Sequence, residues 1–247
     1  MSVPPTSKLT SSIPLDLYPP EPLLAEDDSS LVVLILQGVE IDKSEYSAIA
    51  KELNRHQFWV IVPNCYPVGR DYICPENYSA KQVINALQYS PSQPLYQALQ
   101  RGVILLGHSA GGMAALAALN DNLSDLFSPL VAIATYGSNT PFNISHISSL
   151  PPVLMLSGEK DSVVSPVISR AAFQRIPTAK TFIELKGLNH YSINNTPQPI
   201  GAPLEENKAD LSNRDSVHFV ASLLTSFVQR VKSQDENWFG KQLQISF

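Results

Sequence analysis

A mostly parallel α/β sheet with helices on both faces is the fold this 247-residue chain predicts, on three observations. Unbroken aliphatic runs such as LVVLIL (31–36) and GVILLG (102–107) recur along it, as strands buried on both faces do. Amphipathic helical stretches alternate with those runs, the rhythm of a parallel sheet with crossover helices. A turn carrying three of the eleven glycines within six positions, Gly107-His108-Ser109-Ala110-Gly111-Gly112, joins one such strand to the next helix.

Residues 1–30 hold six of the twenty prolines and little periodicity, and read as an N-terminal arm or edge strands of the same domain. Residues 31–247 read as one domain, with no repeat or low-complexity tract. LVVLIL (31–36) is a buried strand, and SEYSAIAKELNRH (44–56) a helix with Ser44 as its expected N-cap. FWVIVP (58–63) is the next strand. SAKQVINALQY (79–89) and PLYQALQR (94–101) are helices, the second shorter. GVILLG follows as a strand, and AGGMAALAALN (110–120) as a helix. PLVAIATYG (129–137) and PVLMLSG (152–158) are strands, SPVISRAAFQRI (165–176) a helix and KTFIELKG (180–187) a strand. The chain is expected to close on a helix over 214–231, where Val217, Val220, Leu224, Phe227 and Val231 share one face.

Composition narrows the function. Apolar residues make up 44% and charged residues 16%, an ordinary globular balance. A net charge of −5, a pI near 5.5 and no basic run argue against nucleic acid as a partner. The longest apolar runs are too short to span a bilayer, and the N-terminus lacks the basic-then-apolar order of a signal peptide. A cytoplasmic protein is expected, touching a membrane at most peripherally. Cys65 and Cys74 read as free thiols, with a loop disulfide as the alternative; no neighbouring Cys or His completes a zinc site. No metal and no cofactor are expected.

Ligands of a parallel sheet bind at the carboxyl ends of its strands, and Ser109 sits at such an end in the spacing G-x-S-x-G. The sharp reversal from strand to helix leaves no room for side chains two positions before and after the serine. The Ala-rich helix that follows directs its N-terminal N–H groups and dipole toward the serine oxygen. A serine hydroxyl is a weak nucleophile and needs a base oriented by a third group. Of five histidines, His56 ends a helix, His108 lies inside the turn, His146 in a connection and His218 in the last helix. His190, in ELKGLNHYS, alone follows the last predicted strand at its carboxyl end and has the reach to meet Ser109. Asp161, three residues past Gly158 in LMLSGEKDSVV, is the expected orienting acid, with Glu159 as competitor. Oxyanion donors are expected from the Ala110 amide and from Val39, where Gly38 permits a turn after the first buried strand.

With those residues in place, the chain resembles an α/β-hydrolase over about residues 30–232, and the order Ser109, Asp161, His190 is the one stated for that fold. LILQGVEIDKSEYSAIAKELNRHQFWVIVPN (34–64) followed by GHSAGG is similar to the chlorophyllase branch, near dienelactone-hydrolase-like and cutinase-like esterases. The resemblance implies a Ser-His-Asp esterase with Val39 and Ala110 as oxyanion donors, and points to the phytyl ester of chlorophyll. Two positions depart from that branch: Gln37 stands where many relatives have His, and Ala110 where plant chlorophyllases carry Arg.

Lid domains of this fold usually interrupt the chain before the acid-bearing strand, and SNTPFNISHISSLPP (138–152) is too short for one. An uncapped cleft is therefore expected, walled by loop 64–78, with Tyr66, Tyr72 and both cysteines, and by proline-rich 191–210. Gln37, His108, Tyr66 and Tyr72 are candidate pocket residues. The expected partner is a small-molecule ester with a bulky hydrophobic part, with a general short-chain carboxylesterase or a lipase- or cutinase-like esterase as alternatives. A ligand-binding scaffold without turnover is the remote alternative.

Overall fold

Strand β2 (Val32–Leu36) shows how the core is divided. Val33 and Ile35 face one side of the sheet, while Val32, Leu34 and Leu36 face the other, and all are fully buried. Only a sheet covered on both faces accepts such a run. The computed structural model describes residues 15–20, 30–64, 80–87, 93–120, 125–140, 150–233 and 239–245. Tyr66, Tyr72, Cys65 and Cys74 lie outside them.

After β1 (Leu15–Tyr18) and β2 come α1 (Ser47–Arg55), β3 (Trp59–Pro63), α2 (Ala80–Ala86), α3 (Gln93–Arg101), β4 (Val103–His108) and α4 (Ala110–Ala117). Then follow β5 (Leu130–Tyr136), β6 (Val153–Gly158), α5 (Pro166–Gln174), β7 (Lys180–Leu185), α6 (Asn213–Lys232) and β8 (Gln242–Ile245). The eight strands form one sheet in the order β1-β3-β2-β4-β5-β6-β7-β8. Among the described residues, only the β1–β3 pair is antiparallel. Helices α1 and α6 cover one face, through Ile49 and Leu53 against Val220, Leu224 and Phe227. Helices α2 to α5 cover the other, with Ile84, Leu99, Leu116 and Phe173 among their buried residues. The predicted architecture, a mostly parallel sheet with helices on both faces, is the observed one.

Two details differ from expectation. The chain does not close on α6: β8 returns to the sheet and pairs in parallel with β7, Phe182 opposite Gln242 and Leu185 opposite Ile245. Ser44 does not cap α1. A 3₁₀ turn (Lys43–Tyr46) precedes that helix, and the Asp42 carboxylate caps the turn by accepting the Ser44 N–H at 2.8 Å.

The chain runs from β2 outward to β3 and then back across to β4 on the other side of β2. At that reversal the loops after β2 and β4 diverge to opposite faces and leave a crevice above the strand ends. Residues 37–40 and Ser109 stand there.

Candidate active site

Ser109 separates β4 from α4 with φ 53° and ψ −118°, a left-handed conformation for a residue that has a side chain. Such strain costs about 1–3 kcal/mol and persists only where the surroundings enforce it. Here the Ser109 N–H donates to the Tyr136 carbonyl at 2.9 Å. Its own carbonyl accepts from Gly112 N–H at 3.0 Å and from the Ser138 hydroxyl at 3.1 Å. A Cβ on Gly111 would stand 2.1 Å from the Leu36 carbonyl oxygen, so α4 packs against the end of β2 only because that position is glycine. Ser109 is half-buried, and among the described residues nothing hydrogen-bonds its hydroxyl.

His190 and Asp161 meet beside this turn. They are 1% and 3% exposed, and His190 Nδ1 lies 2.7 Å from Asp161 Oδ2. The other carboxylate oxygen, Oδ1, accepts the N–H groups of Val163 at 3.0 Å and Val164 at 2.7 Å, which fixes the carboxylate plane. With Nδ1 turned to the Asp161 carboxylate, Nε2 is the His190 ring nitrogen left for another partner. Gly137, at φ 56°, lies under this pair: an added Cβ would be 2.8 Å from both Asp161 Oδ2 and His190 Nδ1. Glu159 points elsewhere. It pairs with Lys186 Nζ at 2.9 Å and accepts the Gly187 N–H at 3.0 Å, and these bonds, Lys186 first, hold its carboxyl below the usual range.

A buried chain of hydrogen bonds ties the β2 loop to His190. The Gly38 N–H donates to the Tyr46 hydroxyl at 2.8 Å, and that hydroxyl is 2.8 Å from His108 Nδ1. His108 Nε2 lies 3.0 Å from the His190 carbonyl oxygen. Only one proton arrangement satisfies every link: Tyr46 donates to Nδ1, and the Nε2–H of a neutral His108 donates to His190. Complete burial, with His190 nearby, pushes the His108 pKa well below its ordinary 6.5, which keeps the ring neutral. Gln37 is also fully buried. Its Nε2 donates to the Ile41 carbonyl and to Asn64 Oδ1, both at 3.0 Å, bracing the loop against the end of β3. His108 and Gln37 thus sit inside the framework that shapes the loops.

Val39 is 38% exposed on that loop, beside a Gly38 whose added Cβ would be 3.3 Å from Ser109 Cβ. Among the described residues, neither the Val39 nor the Ala110 amide is engaged in a hydrogen bond. The loop after His190 is sewn to the start of α1. Asn195 N–H donates to the Glu45 carbonyl at 2.8 Å, its side chain donates to Ser44 O at 2.7 Å, and the Thr196 hydroxyl reaches Glu45 Oε2 at 2.9 Å. A cavity of about 810 Å³ opens between α1 and α6, lined by Lys51, Glu52, Arg55, Arg214 and His218. It contains none of Ser109, Asp161 and His190, so it is separate from this site. Glu205, which hydrogen-bonds the His190 backbone, has no counterpart among the residues the sequence singles out: LEENK (204–208) in a loop carries no periodic or motif signal.

A family model described as "Alpha/beta hydrolase family" matches residues 32–196. No curated protein matches the chain. Among solved structures, Est1E from Butyrivibrio proteoclasticus with bound ferulic acid superposes with a TM-score of 0.60 at 14% identity, covering 90% of this chain and 96% of that one. A malate-bound thermophilic esterase from Thermogutta terrifontis gives 0.59 at 14%, with 89% and 93% coverage. The esterase domain of a Rhodothermus marinus protein gives 0.56 at 16%, with 87% and 91%. At these identities the likeness is one of fold.

Proposed function

The chain belongs to the alpha/beta hydrolase family, and from that premise we propose that it hydrolyses carboxylic esters through Ser109, His190 and Asp161. His190 Nε2 takes the Ser109 proton as Oγ attacks the ester carbonyl. The Ala110 and Val39 N–H groups stabilise the oxyanion as the carbonyl C=O bond opens. Collapse expels the alcohol, protonated by His190, and leaves an acyl-Ser109. Water, deprotonated by the same nitrogen, attacks the acyl carbon and releases the acid. The observation that carries this reading is the buried 2.7 Å His190–Asp161 pair next to a serine held at positive φ. Ser109→Ala is expected to lower p-nitrophenyl ester turnover by about 10³-fold or more, and His190→Ala similarly. A fluorophosphonate is expected to label Ser109; an unlabelled protein, or Ser109→Ala at half the normal rate, refutes the proposal and leaves a binding scaffold.

The substrate we propose is a bulky hydrophobic ester. Apolar side chains stand exposed on loops flanking the site: Val39 at 38%, Ile200 at 91% and Leu204 at 74%. The loops adjoin, since a Cβ on Gly201 would lie 3.6 Å from the Glu40 carbonyl. Together with the resemblance to the chlorophyllase branch, this makes the phytyl ester of chlorophyll the leading candidate. Purified protein is to be assayed on chlorophyll a and on p-nitrophenyl esters of rising chain length. Chlorophyllide formed as fast as the best synthetic ester is cleaved supports the pigment; brisk short-chain cleavage without chlorophyllide identifies a general carboxylesterase.

A further inference from the structure

We propose that Glu205 is a positioning residue for the pair His190–Asp161, acting as a carboxylate clamp between the loops that carry them; the inference rests on the esterase reading above. One oxygen, Oε2, accepts the backbone N–H of His190 at 2.9 Å. The other, Oε1, accepts the hydroxyl of Ser162, the residue next to Asp161, and the N–H of Asn207 at 2.9 Å. The Ser162 N–H bridges both oxygens at 3.3 Å. One side chain thus spans the base-bearing loop and the acid-bearing loop, which lie 29 positions apart in the chain.

Two further bonds lock the same register. Asn207 Nδ2 donates to the Lys160 carbonyl at 3.0 Å, and Asn189 Nδ2 donates to the Asn207 carbonyl at 2.7 Å. A glutamate is required at the centre, because four donors converge on two oxygens. A glutamine offers one acceptor oxygen and turns an NH₂ toward either His190 or Ser162. The donors are all neutral groups, and no cation pairs with Glu205 among the described residues. Its negative charge therefore remains available to the imidazolium that forms when His190 takes the serine proton.

The groups facing His190 are the Asp161 carboxylate, the neutral His108 ring at 4.8 Å, Tyr191 at 5.0 Å and Glu205 at its backbone. Removing the Glu205 charge makes the imidazolium less stable, so the acid limb of kcat/KM moves to lower pH. The experiment compares wild type, Glu205→Gln, Ser162→Ala and Ser109→Ala on p-nitrophenyl acetate across pH, with fluorophosphonate labelling rates and melting curves. Glu205→Gln is expected to lose roughly 10- to 100-fold in kcat and in labelling rate, the scale of a lost bond to a charged group, with KM within about 2-fold. Ser162→Ala, which removes one arm and leaves the charge, is expected to lose about 3-fold with an unmoved pH limb. Wild-type kcat and pH profile in Glu205→Gln overturn the clamp. Should that variant not fold, Ser162→Ala decides, and unchanged labelling there overturns it. Failure of the esterase reading is separate: the wild type itself would then resist the label, or Ser109→Ala would retain turnover.

Discussion

Replacing Tyr46 by Phe removes one oxygen from a fully buried side chain and leaves its shape in the core nearly intact. That oxygen accepts the Gly38 N–H and donates to His108 Nδ1, each at 2.8 Å. Its loss strands a buried donor and a buried acceptor together. Each stranded group costs about 1–3 kcal/mol, and the pair therefore roughly 2–6 kcal/mol. In a chain of this length each kcal/mol lowers the melting temperature by about 2–4 °C, so a fall of at least about 4 °C is expected. Tyr136→Phe supplies the internal comparison. Its hydroxyl donates to the Asn189 carbonyl at 2.7 Å, an oxygen that also accepts the Ser192 N–H at 3.3 Å. There the acceptor keeps a partner, and the cost is about 1 kcal/mol. Thermal and urea unfolding of the two variants beside wild type measures the difference. A Tyr46→Phe protein melting no lower than Tyr136→Phe refutes the hydrogen-bond chain from Gly38 to His190.

Asp161→Asn is expected to reduce ester turnover by about 10²-fold or more, whereas Glu159→Gln, exposed and paired with Lys186, stays within about 2-fold; the reverse order in kcat/KM removes Asp161 from its proposed role. Burial of neutral His108 makes stability depend on pH. In the unfolded chain the ring gains a proton near 6.5, while in the folded chain it resists, so the stabilisation is full above that value and declines as pH falls below it. The expected loss from this group is about 2 kcal/mol between pH 7 and 5, read from urea midpoints, and a His108→Gln variant with the same pH dependence contradicts it. Gly137→Ala presses a methyl against both Asp161 Oδ2 and His190 Nδ1. A loss of about 10-fold or more in kcat is expected, and a variant with wild-type kcat and an unshifted melting curve counts against it.

The parts of the fold that follow from periodicity were legible, and the parts that follow from long-range partners were not. Runs such as VVLIL and VILLGH, buried on both faces, declare themselves in sequence because nothing polar interrupts them. β8 does not: QLQI is four residues with an exposed-intermediate alternation, a parallel edge strand held by β7 and β4-like neither in length nor in apolarity. Asp42 and Ser44 are both good caps by composition, and only the 3₁₀ turn before α1 decides between them. In the candidate site, the spacing around Ser109 and the strand-end positions of Asp161 and His190 are local facts of the chain. The occupations of Gln37 and His108 depend on Asn64 and Tyr46, residues that no spacing rule connects to them. Glu205 is hidden for the same reason, its partners being the His190 amide earlier in its own connection and Ser162 in the loop after β6.

The seam between Asn195 and the start of α1 has a consequence for how the protein is made. Synthesis runs from the N-terminus at about 5–20 residues per second, so the stretch from Ser109 to His190 takes roughly 4–16 s to produce. During that interval the residues of the serine turn have been made, together with Glu45 and Ser44, which later receive Asn195 and Thr196. His190, the base in the proposed mechanism, does not yet exist. The strained turn at Ser109 is held by Tyr136 and Ser138, which emerge within it, but the imidazole arrives with the last stitches. In the proposed mechanism, Ser109 is therefore synthesised well before the group that would activate it.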